Sequence, residues 1–243
     1  MPGGLNSEHQ EGSLIRRTRI GQMFDRIAHR YDLLNRLLSG YIDVYWRSVL
    51  VKKLSSGQAH RILDVATGTG DLAIALAKQW PKAEVTGLDI SEAMLERARQ
   101  KATRKGLNTI AWVCAPAESL PFADQSFDMI TVGFGVRNFA DLQKGLSEMH
   151  RVLRKGGKVG ILEFSMPRNP IIKKLYGVYF RHLLPRIGAL LSGDSCAYRY
   201  LYETVQHFPA YEEFASLLYQ AGFSDVEIVP LSSGICCMYL AEK

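Results

Sequence analysis

A glycine-rich segment, LDVATGTGDLA over residues 63–73, holds the residue types with the clearest potential for ligand binding. Gly68 and Gly70 permit a tight turn and a close backbone approach of a ligand at the N-terminus of the helix that follows. Asp89 ends the next apolar run, 19 residues after Gly70, where its carboxylate can accept both hydroxyls of a ribose. With Ala73, the glycines also satisfy the dinucleotide pattern G-x-G-x-x-G/A, so they do not by themselves choose between nucleotide cofactors.

Two carboxylates beside this loop favour one cofactor over the other. Asp64 precedes the loop and Asp71 follows it, and both would repel a pyrophosphate in a partly desolvated cleft. S-adenosylmethionine carries no phosphate, and Asp64 would attract its methionyl ammonium, directly or through water. The alternative is that Asp64 only caps backbone amides of the loop. The two carboxylates therefore favour S-adenosylmethionine over a nicotinamide dinucleotide.

Two later positions are candidate contacts of the same cofactor. The loop after the third apolar run would read an adenine edge through the Ala117 N–H and the Glu118 side chain. Gly133, on the fourth run, permits a close approach of the cofactor, although a strand glycine equally permits close packing of a helix.

These residues are positioned by short apolar runs, rich in Val and Ile, that alternate with helical stretches. The predicted strands are residues 61–66, 83–89, 109–115, 127–134 and 157–164, and the predicted helices between them are Asp71–Gln79, Ser91–Arg104 and Leu142–Leu153. This alternation is typical of a parallel, doubly wound α/β sheet. The last two runs, SDVEIVPL and ICCMYLAE, are separated only by SSG, which is too short for a parallel crossover. We therefore predict a mostly parallel sheet with an antiparallel end strand, the Rossmann-like arrangement of a class I methyltransferase.

The rest of the chain is predicted to be helical around this sheet. Apolar spacing predicts helices at Met23–Leu38, Tyr41–Leu54 and Tyr211–Ala221, and a helical insertion over about residues 170–201 before the last strands. We expect a flexible arm over residues 1–20 and a single methyltransferase domain over residues 21–243. In that domain, residues 21–56 form the N-terminal helices and residues 168–205 form a helical lid or substrate insertion.

Composition excludes several other classes of protein. The chain has 243 residues, of which 47% are hydrophobic and 22% charged, as in ordinary globular domains. Its longest apolar region, Leu175–Leu191, is interrupted by Arg181, His182 and Arg186, which argues against a membrane-spanning helix. No apolar secretory signal is seen at the N-terminus, so we expect a cytoplasmic location. The four cysteines lack CxxC spacing, and we interpret them as reduced packing residues without a metal site. The net charge of +6 is compatible with an anionic partner, either nucleic acid or anionic lipid.

Longer motifs identify a family. The segments are FDRIAHRYDLLNRLLS, LDVATGTGDLA, AESLPFADQSFDMITVGFGVRNF, EMHRVLRKGGKVGILEFSMP, LLPRIGALLSGDSCAYRYLYETVQHFP and AGFSDVEIVPLSSGI. From Met23 to the C-terminus the chain resembles the UbiE/MenG family, the C-methyltransferases of ubiquinone and menaquinone synthesis. GTGD occurs in many methyltransferases, whereas FGVRNF, LEFSMP and YRYLYETV are much more specific.

The resemblance implies S-adenosylmethionine as the methyl donor and a prenylated hydroquinone as the acceptor. The cofactor contacts that the resemblance implies are Thr69, Asp89, Pro116, Ala117 and Gly133. Family members often have Asp or Asn in place of Pro116 and Ser in place of Gly133. Because proline has neither an N–H nor a side-chain acceptor, we expect the adenine to depend on packing and on the Ala117 backbone.

The implied reaction moves a methyl group to a ring carbon, which becomes nucleophilic when the neighbouring hydroxyl loses its proton. Arg137 follows the fourth strand at the carboxyl edge of the sheet, and we expect it to stabilise the developing oxyanion, with Asn138 as a second donor or as the group that orients a water. The alternative for Arg137 is an ion pair with Asp141 or Glu148. We assign no general base.

The insertion combines apolar residues with lysines and arginines, which suits either an interfacial helix on anionic lipid or a lid over the active site. We expect a prenylated quinol substrate, a peripheral contact with the inner face of the plasma membrane and no nucleic-acid partner, and we leave a homodimer open. A naphthoquinol, demethylmenaquinol, is the favoured acceptor, and a benzoquinol of ubiquinone synthesis is the alternative.

Three rival interpretations remain testable. A nicotinamide-dependent oxidoreductase would bind NADH but not S-adenosylmethionine. An RNA methyltransferase would bind RNA at low salt, and a non-enzymatic quinone-binding protein would bind quinol without turnover.

Overall fold

The computed structural model describes residues 18, 20–26, 28, 36, 39, 41–55, 57–179 and 195–243. Its strands are β1 (Arg61–Val65), β2 (Glu84–Asp89), β3 (Ala111–Cys114), β4 (Phe127–Gly133), β5 (Leu153–Phe164), β6 (Ser224–Leu231) and β7 (Cys236–Glu242). Its helices are α1 (Ile42–Leu54), α2 (Asp71–Gln79), α3 (Glu92–Arg104), α4 (Leu142–Val152), α5 (Pro170–Val178), α6 (Ser195–His207) and α7 (Glu212–Gln220). Short 3-10 turns occupy Val136–Asn138 and Ser232–Gly234.

The seven strands form one sheet in the order β3-β2-β1-β4-β5-β7-β6. Strands β1 to β5 pair in parallel, whereas β7 pairs antiparallel with both β5 and β6. This confirms the predicted class I arrangement, with the antiparallel strand at the β5 end of the sheet. The connection from β6 to β7 is the short 3-10 turn, whose Ser232 and Ser233 both have positive φ.

Apolar side chains cover both faces of the sheet. On one face, Leu63, Ile130 and Val159 pack with residues of α4 and α7. On the other face, Ile62 and Leu162 pack with residues of α1 and α2. Burial on both faces explains why these strands read as continuous apolar runs rather than as alternating patterns.

The predicted helices and strands are close to the observed ones, with one clear exception. Strand β5 begins at Leu153, whereas the prediction begins it at residue 157 and extends the preceding helix to Leu153. Leu153 pairs with Phe127, and the Gly156 N–H donates to the carbonyl of Lys243 at 2.7 Å. These partners are distant in the sequence, so the local pattern of the segment does not contain them.

Several predictions fall wholly or largely outside the described residues. Residues 20–26 are helical, but most of the arm, most of the Met23–Leu38 helix and residues 180–194 of the insertion cannot be compared. In the described part of the chain, no helix is both long and apolar enough to span a bilayer. Cys236 and Cys237 are buried free thiols, as expected of packing residues, whereas Cys114 is exposed and does not fit that expectation.

Candidate functional site

An open cavity lies at the carboxyl ends of β1, β2, β3 and β4, and its empty space, including adjoining solvent, is about 910 Å³. Parallel α/β sheets place their ligand sites at this edge. Eight of the ten predicted site residues line it: Asp64, Gly68, Thr69, Asp89, Pro116, Ala117, Gly133 and Asn138. Gly70 and Arg137 lie next in sequence to lining residues but are not themselves part of the cavity wall.

Asp89 stands at the end of β2 with its carboxylate fixed by backbone amides. The Gly68 N–H donates to Oδ2 at 2.8 Å and the Ser91 N–H donates to Oδ1 at 2.9 Å. Burial raises the pKa of Asp89, and these two amides act against the rise. A carboxylate oxygen can accept more than one hydrogen bond, so Asp89 can accept bonds from ribose hydroxyls as well as from the two amides.

Asp64 is fully buried at the base of the glycine loop. The hydroxyl of Thr67 donates to Oδ2 at 2.6 Å, and the hydroxyl of Thr131 donates to Oδ1 at 2.7 Å. Burial raises the pKa of Asp64 to about 6, although both hydroxyls and the charge of Arg47 favour the ionised form. The backbone N–H of Ala73 in α2 also acts on this carboxylate, so Asp64 contacts a backbone amide of the segment, as the capping alternative requires. Asp64 also borders the cavity, where its carboxylate can meet an ammonium.

Asp71 is surrounded by cationic side chains, which the sequence-based prediction did not include. Arg36 pairs with Asp71 at 2.6 Å and Lys101 pairs with it at 3.0 Å. Burial acts to raise the pKa of Asp71, but the charges of Lys101, Arg47 and Arg36 outweigh burial and lower it. Asp71 is therefore ionised and neutralised, and its charge does not repel a pyrophosphate as the sequence suggested. Its cationic partners come from distant segments and were not predicted.

One glycine of the loop makes room for a tryptophan. Gly70 has φ +80°, and a Cβ built on it would lie 2.8 Å from Cη2 of Trp112. Gly133 lines the cavity, and a Cβ there would lie 3.3 Å from Cδ2 of Leu72 in α2. Gly133 thus combines the two roles that the sequence left open, since it borders both the cavity and a closely packed helix.

The loop after β3 is joined to the loop after β4. Oε1 of Glu118 accepts from the Ala140 N–H at 2.6 Å and from the Asp141 N–H at 3.3 Å. Ala117 and Glu118 are both buried and line the cavity. Glu118 therefore holds two cavity walls together, a role that sequence analysis did not assign to it.

A strained turn follows β4 and carries Arg137 and Asn138. Phe134 has φ 63°, and a Cβ on Gly135 would lie 2.5 Å from the Cβ of Ala66, so the turn needs glycine there. Asn138 lines the cavity, and its Oδ1 accepts from the Tyr200 hydroxyl at 3.1 Å.

Arg137 is buried behind this turn in an ion pair. Its Nη1 donates to Oε1 of Glu163 at 2.6 Å and to the carbonyl of Phe134 at 2.5 Å. The side chain of Glu163 is fully buried and that of Arg137 is 7% exposed. An ion pair was the alternative for Arg137, but its partner is Glu163, not Asp141 or Glu148. Asp141 caps α4 through the Lys144 N–H instead.

Glu163 and Arg47 were not predicted from the sequence to belong to the site. Glu163 is the one acidic residue in the run GKVGILEF, and a carboxylate in a buried strand is the signal that could have singled it out. Arg47 lines the cavity from α1, four residues after the buried Asp43 that pairs with it. That spacing on a helix was the available signal.

Comparison with known proteins agrees with this geometry. Residues 13–243 match the model of the ubiE/COQ5 methyltransferase family. The chain is 46% identical to a demethylmenaquinone methyltransferase of Chlorobaculum parvum, covering 98% of this chain and 99% of the relative. It is also 46% identical to a ubiquinone/menaquinone biosynthesis C-methyltransferase UbiE of Geotalea uraniireducens, covering 93% of this chain and 96% of the relative.

Solved structures with lower identity share the fold. A SAM-dependent methyltransferase from Thermotoga maritima matches with a TM-score of 0.66 and 21% identity, over 92% of this chain and 99% of that chain. The [4+2]-cyclase SpnF matches with a TM-score of 0.67 and 19% identity, over 93% of this chain and 96% of that chain. The fold therefore also occurs in a protein named for a different reaction, and it does not alone specify methyl transfer.

Proposed function

Because the chain belongs to the ubiE/COQ5 methyltransferase family, we propose that it transfers a methyl group from S-adenosylmethionine to a ring carbon of a prenylated hydroquinone. The favoured acceptor is demethylmenaquinol, since a relative 46% identical over nearly the whole chain is named for that substrate class. When bound, S-adenosylmethionine supplies an electrophilic methyl group on a sulfonium.

The residues that line the cavity fit both the adenosyl and the methionyl part of that cofactor. The carboxylate of Asp89 can accept ribose hydroxyls, and the loop at Pro116 and Ala117 offers an adenine wall with one backbone N–H. Asp64 offers a carboxylate to the methionyl ammonium, held in place by Thr67 and Thr131. These donors and acceptors contact an adenosyl group at one end and a charged amino acid at the other.

The proposed chemistry is supported by the turn after β4, which holds Arg137 and Asn138. Nε of Arg137 is buried and has no hydrogen-bond partner among the described residues. An unpaired buried donor costs about 1–3 kcal/mol, and a ligand oxygen would remove that cost. Asn138 presents its side chain to the cavity beside Arg137, with its Oδ1 already bonded to Tyr200. We assign both residues the role of donating to the hydroquinone oxygen as it becomes anionic. Because Arg137 lies behind the cavity wall, its role requires the side chain to move toward the cavity when the substrate binds.

The energy required is within reach of two such donors. A phenolic hydroxyl has a pKa near 10, so bringing it to about 7 requires roughly 4 kcal/mol of preferential stabilisation of the anion. Glu163 neutralises Arg137, which therefore acts as a hydrogen-bond donor rather than as a free cation. Two hydrogen bonds to a charged oxygen contribute about 3–6 kcal/mol together, which covers that requirement. After methyl transfer, the ring carbon loses its own proton. We assign no protein base to this step, and in the proposed reaction the proton passes to solvent.

Kinetics of two variants test these roles. Arg137→Gln and Asn138→Ala should each lower kcat by about 10- to 100-fold, as expected for the loss of one charged hydrogen bond. The affinity for S-adenosylmethionine, measured by calorimetry, should stay within about 3-fold, because neither side chain is assigned to the cofactor. An equal loss of cofactor affinity would show that the role assigned to Arg137 is wrong.

The acceptor ring is tested by offering two reduced lipids in parallel. With demethylmenaquinol and a demethylated precursor of ubiquinol, we expect the higher kcat/KM for the naphthoquinol. The reverse order would assign the protein to ubiquinone synthesis. Methylation of RNA but of neither lipid would overturn the proposed function.

We also propose that α5 docks on an anionic membrane surface, from which a prenylated substrate would enter. Ile171, Leu175 and Val178 form one face of α5 and are 70%, 66% and 54% exposed. Lys173 and Lys174 beside them are also exposed and would complement anionic lipid headgroups.

The opposite side of α5 faces the protein interior near Arg137 and Glu163. Tyr176 on that side is 8% exposed, and burial raises its pKa, with smaller effects from the charges of Arg137 and Glu163. An apolar outer face and an inner face near the active site together let one helix serve as a lid and as a membrane contact. The docking surface on α5 follows β5 directly, so it lies at the same edge of the sheet as the cavity.

Flotation of the purified protein with phosphatidylcholine vesicles, with and without phosphatidylglycerol, tests the membrane proposal. The wild type should float with the anionic vesicles, and a variant with Ile171, Leu175 and Val178 all changed to serine should not. Tyr219→Ser, on the exposed side of α7, is the matched control and should float normally. If the triple variant floats normally but changes from a dimer to a monomer, the face is an interface between two copies instead.

A further inference from the structure

The cavity wall has more acidic than basic side chains. Among the described residues of its wall, four are acidic and one, Arg47, is a cation. The acidic residues are Asp64, Asp71, Asp89 and Glu118. Asp71 is neutralised by ion pairs and Glu118 accepts from backbone amides, so neither needs a ligand. Arg47 is left as the basic group that a ligand in the cavity would meet.

Arg47 is held firmly at the cavity rather than extended into solvent. Its side chain is 12% exposed, and Nη1 pairs with the buried carboxylate of Asp43 at 2.5 Å and with Asp71 at 4.0 Å. The guanidinium carbon lies 5.3 Å from the centre of the Phe134 ring, a cation–π arrangement that fixes the plane of the group. Within the described part of the chain, its hydrogen bond to Asp43 uses Nη1, which leaves Nη2 and Nε for a ligand.

Arg47 faces the same end of the cavity as Asp64. Its Nε lies 4.0 Å from the position of a Cβ built on Gly133, at the end of β4. Asp64 reaches the same strand through Thr131, and the charge of Arg47 acts on it to favour ionisation. Asp89, which marks the ribose end, lies instead with Gly68 and Ser91. A carboxylate and a guanidinium therefore both lie beside β4, whereas Asp89 lies at the end of β2 on the other side of β1.

From this juxtaposition we infer that Arg47 binds the carboxylate of the methionyl group of S-adenosylmethionine, while Asp64 binds its ammonium. The methionyl group is a zwitterion, so a cavity that desolvates it must offer one group of each sign. Arginine suits the task because its planar fork matches a carboxylate and keeps its charge at any physiological pH. This inference rests on the proposed cofactor site and adds to it the residue that recognises the amino-acid end.

Calorimetry with three ligands tests the inference through binding alone. S-adenosylmethionine carries the carboxylate and the ammonium, decarboxylated S-adenosylmethionine carries only the ammonium, and 5′-methylthioadenosine carries neither. The wild type should bind S-adenosylmethionine about 10- to 100-fold more tightly than the decarboxylated form. Arg47→Gln should remove most of that preference, with the affinity for the decarboxylated form changed by less than about 3-fold.

Two further variants separate recognition from folding. Arg47→Lys keeps the charge and the pairing with Asp43 but has a single donor group, and it should show an intermediate preference. Arg61→Gln, on an exposed arginine at the opposite edge of the sheet, is the matched control and should bind all three ligands as the wild type does.

The outcomes distinguish this inference from the proposed function. Equal loss of all three ligands in Arg47→Gln would show that Arg47 acts only through the fold, and the inference would fall. A wild type that does not distinguish S-adenosylmethionine from its decarboxylated form would also overturn it, whatever the variants do. A wild type that binds none of the ligands would overturn the proposed function as well.

Discussion

If Asp64 binds the ammonium of S-adenosylmethionine as proposed, its protonation state should couple cofactor binding to pH. Burial raises its pKa to about 6, so the carboxylate is ionised above that pH and neutral below it. An ammonium is bound by the ionised form. We therefore expect the affinity for S-adenosylmethionine to fall as the pH is lowered through about 6, measured by calorimetry across that range. Asp64→Asn should weaken binding at neutral pH and remove this dependence.

The binding of 5′-methylthioadenosine is the control, because that ligand has no ammonium. Its affinity should not follow the titration of Asp64. If it falls in parallel with that of S-adenosylmethionine, Asp89 or the fold is responsible instead, since burial also raises the pKa of Asp89.

The same residue affects stability with a definite sign. A carboxyl group whose pKa is higher in the folded state stabilises the fold below its unfolded pKa of 3.8, and that contribution is lost as the pH rises through about 6. Asp64→Asn should therefore raise the free energy of unfolding at pH 7.5, by at most about 3 kcal/mol, because an amide cannot ionise. At pH 4 the two proteins should unfold at nearly the same denaturant concentration. Lower stability of the variant at pH 7.5 would contradict the electrostatic description of this site.

Asp89 should behave differently from Asp64. Asp89→Ala removes the acceptor for the ribose hydroxyls and frees the amides of Gly68 and Ser91. Calorimetry should show a loss of about 10-fold or more for both S-adenosylmethionine and 5′-methylthioadenosine, because both contain the ribose. A loss confined to S-adenosylmethionine would place Asp89 at the methionyl end and reverse the orientation of the cofactor.

At the scale of elements, close packing between β2 and β3 depends on Gly87. A Cβ on Gly87 would lie 2.6 Å from the Trp112 ring and 3.1 Å from the methyl group of Thr67. Gly87→Ala should lower the free energy of unfolding by about 1–3 kcal/mol, measured by denaturant titration. Gly57→Ala is the control, because nothing lies within 4 Å of a Cβ there.

A second background shows whether the tryptophan is responsible. In Trp112→Leu the ring is absent, so the added cost of Gly87→Ala should be smaller than in the wild type. An identical cost in both backgrounds would assign the effect to the strand backbone rather than to the ring.

The elements could be predicted largely because their signals are local. The bounds of α2 match the predicted Asp71–Gln79, and the three-residue connection SSG required β6 and β7 to be antiparallel. The start of β5 could not be predicted, because Leu153 is placed by pairing with Phe127, 26 residues earlier in the chain. The glycine loop and Asp89 were likewise predictable, since their spacing follows from strand, turn and helix.

The ion pairs of the site were not predictable from spacing. Arg137 and Glu163 lie 26 residues apart and meet where β4 and β5 end side by side. Asp71 is neutralised by Arg36 and Lys101, which lie 35 residues before it and 30 residues after it. Such partners follow from the order of strands and the placement of helices, which the sequence pattern gives only in outline.

In the molecule as a whole, the turn after β4 and the cavity lie at the carboxyl edge of one sheet, and α5 follows β5 at that edge. In the proposed function, this arrangement would bring a water-soluble cofactor and a lipid substrate to the same point from different sides. The fold alone does not decide the reaction, because the [4+2]-cyclase SpnF shares it. We propose that the reaction is instead decided by Arg137, Asn138 and the residues around them.

Methylation of a ring carbon should depend on the redox state of the quinone. The protein is incubated with S-adenosylmethionine labelled in its methyl group and with demethylmenaquinone kept either reduced or oxidised. Because the oxidised ring is itself electrophilic and does not attack a sulfonium, we expect a carbon-bound labelled methyl group on the reduced lipid alone. Equal labelling of the oxidised lipid, or no labelling of any reduced quinone by protein that binds S-adenosylmethionine, would contradict it.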